Sequence, residues 1–392
     1  MNKNDRNKYD VIVIGAGSIG NPTAYFLAKE GKRVLCLEML PAPGQGQNKA
    51  AIGGVRATHS DPAKITLCQQ SLDIFAGWQK ETGVDIGYKM GGYAYPVYRE
   101  QDAEMLKSLL PIQKKFKLNI DFVDAQMMSK IIPGIQQNGL LGGTFSPNDA
   151  QVSPLMSAAS FYRVARELGA EYHFNESVVN FITEGNRIVG LQTDKSTYYA
   201  DMTVIAAGAE AEVLCKKAGV NVTILPDSHE AGICSPVQQF LDPLVVDIRP
   251  GIDGKTANFY FGQNHEGQII FCYTPSPVFP GTSRDSTSEF MPILARRMVE
   301  LIPRFCNLVV RRIWRGLYPM SVDGIPIVGK PAKVDGLILG VGMCGQGFML
   351  GPGVAINLTS EIIHGKPMID QEVWDSLSPD RDFSAAKVEK LK

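Results

Sequence analysis

Short apolar runs alternate along this chain with glycine-rich turns and segments of helical period. Val11-Ile12-Val13-Ile14 closes a run that begins at Tyr9, which predicts a strand buried on both faces. From Gly20 to Glu30 the apolar residues Ala24, Leu27 and Ala28 recur at helical spacing, and Gly31 stops the helix. Arg33-Val34-Leu35-Cys36-Leu37 reads as a second buried strand, with Glu38 at its carboxyl end. Further on, Pro154 to Leu168 predicts a helix that ends at Gly169, followed by strands around 171–174, 178–183, 187–193 and 197–200. Thr203-Val204-Ile205 runs into the small residues Ala206-Ala207-Gly208 and is expected to join the first sheet. By contrast, 88–98 and 228–273 mix strand signals with aromatics and prolines, which suits a sheet walling a pocket.

Gly336 to Ile356 is nearly uncharged and long enough to suggest a membrane span. Its six glycines from Gly340 to Gly353, with Pro352, argue instead for a strand at Leu337-Ile338-Leu339, a glycine loop, and a helix from Val354 to Ile363. The polar residues 380–392 read as a frayed tail.

The first of these units carries the chemistry. Gly15-Ala16-Gly17-Ser18-Ile19-Gly20 lies between strand and helix, and the second strand delivers Glu38; in this order the elements form a dinucleotide-binding unit. Gly15 permits the tight turn, Gly17 lets the backbone approach a pyrophosphate, and Gly20 allows helix and strand to pack closely. The helix start offers free N–H groups to the anion, and Glu38 suits ribose hydroxyls while repelling a 2′-phosphate. The second glycine loop would aim N–H groups at whatever lies before its helix, such as the O2/N1 edge of a flavin.

Length and charge narrow the picture further. With 392 residues the chain has room for two domains, and 39 Lys plus Arg against 40 Asp plus Glu leave no basic excess for nucleic acid or an anionic membrane. The polar start Met1-Asn2-Lys3-Asn4-Asp5 lacks the apolar core of a signal peptide, so a cytoplasmic location is expected. Seven cysteines stand singly with no CxxC pair, and the remaining histidines (173, 229, 265 and 364) show no metal-ligand spacing; each of these is expected to be structural or exposed.

Taken together, Gly15–Gly20 with Glu38, Asn48 to Arg56, Ser146 to Pro154, Ala206-Ala207-Gly208, Asp323 to Gly329 and Gly345-Gln346-Gly347-Phe348 resemble the D-amino-acid oxidase superfamily over essentially the whole chain. Trp314 to Gly324 and Gly347 to Pro352 look most like the FAD-bearing β subunits of heteromeric proline, hydroxyproline, opine and sarcosine dehydrogenases or oxidases, with glycine oxidase and monomeric sarcosine oxidase less close. The resemblance implies an α/β fold, α+β overall. A discontinuous Rossmann-like FAD-binding domain (1–84, 145–220 and 314–379) would carry an inserted antiparallel-sheet substrate domain (85–144 and 221–313), with 380–392 as tail. It implies oxidation of an amino-acid amine to an imine by hydride transfer to flavin N5, an electron-accepting partner subunit, and an FMN at the interface with that partner. The FAD-binding residues it implies are Gly15, Gly17, Ser18, Ile19, Gly20, Glu38, Met39, Ala51, Ile52, Gly53, Gly54, Val178, Ala207, Gly208, Gly316, Gly345, Gln346, Gly347, Phe348 and Met349.

Departures from relatives limit what carries over. Gly316 stands where monomeric sarcosine oxidase has its flavin-linking cysteine, so FAD is expected to be non-covalent. Met349 and Tyr318 stand where the carboxylate-pairing lysine and arginine of relatives fall, and Ile270 stands near the position of the oxygen-activating lysine, which favours a dehydrogenase. Arg56 is expected to face the flavin or the substrate carboxylate. His59 is read as a group that pairs with a carboxylate or influences the substrate amine's protonation, or as a structural histidine, and Tyr318 either as a carboxylate donor or as packing. A self-contained oxidase and a non-catalytic FAD-binding assembly subunit stay open beside the dehydrogenase.

Overall fold

A computed structural model describes residues 7–384. It is built on two large sheets. The first has eight strands, in the order 178–184, 187–193, 197–205, 8–14, 34–38, 171–174, with Leu337–Val341 pairing on Thr197–Ile205 and Ile327–Gly329 outside it. Its centre is parallel: Val11 to Ile14 align with Val34 to Leu37 on one side and with Met202 to Ile205 on the other. Val11 and Val13 feed one core cluster, under helices Gly20–Lys29, Pro62–Thr82, Pro154–Glu167 and Gly347–His364; Ile12 and Ile14 feed a second on the opposite face. Burial on both faces is why these strands read as unbroken apolar runs.

The second sheet has nine strands and draws on two parts of the chain, 93–146 and 224–321. Its longest pairing is antiparallel, between Ile224–Cys234 and Val310–Ser321. The expected boundaries at 144/145 and 313/314 fall inside two of its strands, Gly142–Ser146 and Val310–Ser321.

Two expectations are corrected here. The last long helix starts at Gly347 rather than Val354 and keeps Pro352 inside it. Its glycines are points of close packing, not breaks: a Cβ on Gly351 would lie 2.1 Å from Ser18 O, and one on Gly353 would lie 2.1 Å from Leu67 O. Pro352 is the sixth residue of the helix, past its first turn, so the helix forgoes one i−4 hydrogen bond there. The tail is also not frayed from its start, because Arg381 Nε and Nη2 donate to the Asp323 carboxylate at 2.8 and 2.9 Å; residues 385–392 of that expectation lie outside the described residues. Among the described residues no helix is long and apolar enough to cross a membrane, no cluster of His, Cys, Asp and Glu could hold a metal ion, and all seven cysteines are free.

Candidate active site

One large cavity runs between the two sheets, and about 500 Å³ of it is open to the centres of water molecules. At one end lies the first glycine loop. A Cβ on Gly20 would meet Gly15 O at 1.7 Å, so this pair fixes how closely the helix start approaches the strand end. Gly17 has nothing within 4 Å of its absent Cβ and lines the cavity, as do Ser18 and Ile19. Helix Gly20–Lys29 has Ile19 at its N-cap and no side-chain cap; Asn21 N donates to Gly17 O at 3.1 Å and Pro22 has no N–H, which leaves the N–H groups of Ile19 and Gly20 for a ligand. Glu38 is buried and lines the cavity; its carboxylate accepts from Ala16 N at 2.8 Å and Leu40 N at 2.9 Å, which orients it and leaves lone pairs for hydroxyl donors.

Ala206-Ala207-Gly208 ends the adjacent strand on the same cavity, and Glu176, Ser177 and Val178 close this end. Further along come Met39, Ala51 to Gly54, Gly316 and the second glycine loop, Gly345-Gln346-Gly347, with Phe348 and Met349. Gln346 is the uncapped N-cap of helix Gly347–His364, and its buried Oε1 has no hydrogen-bond partner. Two uncapped helix starts, an acid at a strand end and an unsatisfied amide oxygen along one cavity fit a dinucleotide with a flavin. Every expected cofactor residue lines this cavity except Gly20, which acts behind it through Gly15. Opposite Gly316, a side chain would run into Ala50, whose Cβ lies 2.6 Å from where a Cβ would be. Two thiols that the sequence did not flag, Cys272 and Cys344, also reach the cavity; burial pushes Cys272 up to about 12, so it stays protonated.

The expected catalytic residues separate. Arg56 is buried and lines the cavity, its guanidinium donating to Thr58 O and lying 3.2 Å from His59 Nδ1. Its segment is held from behind by Asp149, which accepts from Ala57 N at 2.8 Å and from the Thr58 hydroxyl; burial pushes Asp149 up to about 6. His59 is fully buried and does not line the cavity. Burial first, then Arg56 and Lys64, hold it well below the ordinary histidine value, so it is a neutral ring between Arg56 and the Cys68 thiol, 3.5 Å away. The reading of His59 as a group beside the substrate amine is corrected to a prop under Arg56.

Tyr318 does line the cavity. Its hydroxyl lies 2.7 Å from that of Tyr260, its ring stacks on His229 at 3.7 Å, and burial keeps the phenol neutral. A Cβ on Gly345 would fall 2.0 Å from that ring, so the glycine loop and the tyrosine share the space. Ile270 is not on the lining, where its strand contributes Cys272 and Thr274. A buried lysine does line the cavity: Lys64, from helix Pro62–Thr82, with Nζ donating to Gly324 O at 2.9 Å. A lysine thus reaches the lining from a different element than the strand that carries Ile270. Asp227, Lys64, Glu176 and Tyr260 escaped sequence reasoning, and His229, expected to be structural or exposed, is buried on the cavity lining.

Fold, glycine loops and cavity define a nucleotide-binding oxidoreductase. The profile of the family "FAD dependent oxidoreductase" (DAO) matches residues 10–361, and the chain belongs to that family. Among relatives, it is 26% identical to glycine oxidase of Bacillus licheniformis over 93% of this chain and 95% of that protein, and 23% identical to sarcosine oxidase subunit beta of Arthrobacter sp over 92% and 88%. Among solved structures, L-proline dehydrogenase from P. horikoshii superposes with a TM-score of 0.89 at 25% identity, over 97% of this chain and 99% of that one.

Proposed function

We propose that this chain uses FAD to oxidise the amine of an amino acid, or of an N-substituted or cyclic amino acid, to an imine. FAD, when bound, supplies the acceptor for the two electrons released as the C–N single bond becomes C=N. The observation that carries the reading is a buried guanidinium, Arg56, on the same cavity as both glycine loops. A carboxylate entering there would be costly unpaired, and Arg56 offers the pairing that Met349 and Tyr318 do not supply as cations. The Tyr260–Tyr318 hydroxyls stay neutral and add donors that cost no charge. Leu244, Val246, Tyr93 and Tyr95 line the same space.

The finer assignment is the FAD-bearing subunit of a heteromeric dehydrogenase, supported by the likeness to sarcosine oxidase subunit beta and to L-proline dehydrogenase. A self-contained oxidase is favoured by one observation, the Lys64 cation on the cavity. Dye-linked turnover of glycine, sarcosine, L-proline and hydroxyproline tests the activity. Arg56→Met is expected to raise KM for the amino acid about tenfold or more while FAD stays bound; an unchanged KM would remove Arg56 from the reading. Hydrogen peroxide formed by the chain alone at the dye-linked rate would select the oxidase.

A further inference from the structure

The antiparallel register between Ile224–Cys234 and Val310–Ser321 sets Asp227 opposite Tyr318 and His229 opposite Gly316. Strand alternation puts Asp227, His229 and Ala231 on one face, and all three line the cavity. Both polar residues are more than nine-tenths buried, at 9% and 7% exposure. His229 Nε2 lies 3.6 Å from Asp227 Oδ1, its ring stacks on Tyr318, and its Nδ1 has no hydrogen-bond partner. Arg56 reaches the cavity from another part of the chain, directly after the short strand Gly54–Val55.

We infer that Asp227 and His229 form the receptor for the substrate's nitrogen, orienting the amino acid against Arg56, which takes its carboxylate. This rests on the function proposed above. An ammonium brought against this buried wall gives up water and is stabilised by an anion beside it, and Asp227 is a carboxylate on this wall. Burial pushes His229 down to about 3, so its imidazole is neutral and keeps one nitrogen as an acceptor. A carboxylate and one imidazole acceptor match the two N–H donors of a secondary ammonium. The class favoured is therefore N-alkyl or cyclic amino acids over primary ones.

The test uses FAD-loaded protein and ligands that cannot be oxidised because they carry no α-hydrogen or no nitrogen. α-Methylproline is compared with tetrahydrofuroate, and α-aminoisobutyrate with isobutyrate, each titrated against the visible spectrum of the bound flavin at neutral pH. Wild type is expected to bind the nitrogen-bearing member of a pair at least about tenfold more tightly. Asp227→Asn is expected to erase that preference and leave the nitrogen-free acid within about twofold of wild type, and His229→Leu is expected to reduce it. Equal losses for both members would mean a structural role and overturn the inference, as would an unchanged preference. Should Asp227→Asn fail to hold FAD, the wild-type preference decides alone, and equal affinities overturn the inference. If amino acids bleach the flavin and no preference is found, only this inference falls. If no ligand of either pair binds and no amino acid bleaches it, the proposed function falls with it.

Discussion

Gly17 and Gly20 sit three residues apart in one loop, yet substitutions there should have opposite consequences. At Gly17 an added Cβ meets nothing within 4 Å, the residue lines the cavity, and the backbone is not left-handed. Gly17→Val should therefore fold with stability within about 0.5 kcal/mol of wild type. Its branched side chain would hold a pyrophosphate away from the helix N–H groups. Losing two hydrogen bonds to a charged ligand is worth about 3–6 kcal/mol, or roughly 10²–10⁴ in Kd. At Gly20 the added atom would lie 1.7 Å from Gly15 O and 3.3 Å from Val13 Cγ1, so backbone must move. Gly20→Ala should destabilise the apoprotein by about 1–3 kcal/mol, a fall of several degrees in Tm. Thermal unfolding of FAD-stripped protein and a fluorescence titration with FAD measure the two effects separately. Wild-type FAD affinity in Gly17→Val, or wild-type stability in Gly20→Ala, would refute the assignment of this loop.

Three further outcomes are expected. Acid precipitation should release all FAD into the supernatant, because Gly316 offers no sulfur and Cys272 is a protonated thiol; flavin left on the pellet would point to Cys344. Asp149 holds its proton more firmly when folded, so the stability it contributes is present at low pH and lost as pH rises from about 4 through about 6, by about 3 kcal/mol at most; Asp149→Asn should flatten that slope, and an unchanged slope would place the titration elsewhere. If Lys64 assists electron transfer to oxygen, Lys64→Met should slow reoxidation in air by about a hundredfold, about 3 kcal/mol, with dye reoxidation unchanged; equal slowing of both would show a merely structural lysine.

What the sequence disclosed was local. Strand, glycines, helix, strand and Glu38 fall within 30 residues, and each has its own steric or electrostatic reason, so the cofactor end was legible. The substrate end was not. Asp227 and His229 face Tyr318 and Gly316 only because strands about 90 residues apart pair in one register, and no local pattern encodes that register. Lys64 lies in helix Pro62–Thr82, for which the sequence was given no reading, and the fold turns it inward to Gly324 O. Ile270 failed as a marker for a related reason: the neighbouring Cys272 and Thr274, not Ile270, meet the cavity. Pro352 and its flanking glycines looked like helix breakers because the partners that need their small size, Ser18 O and Leu67 O, come from distant segments.

The central claim is that the FAD held here takes electrons from an amino-acid amine. It is tested most directly by mixing FAD-loaded protein anaerobically with single amino acids, secondary amines foremost, and following the yellow colour of the flavin. The account predicts that at least one of them bleaches the flavin and leaves an imine or its oxo-acid hydrolysis product, one per FAD. A flavin that dithionite bleaches but that no amino acid or N-alkyl amino acid bleaches would contradict it.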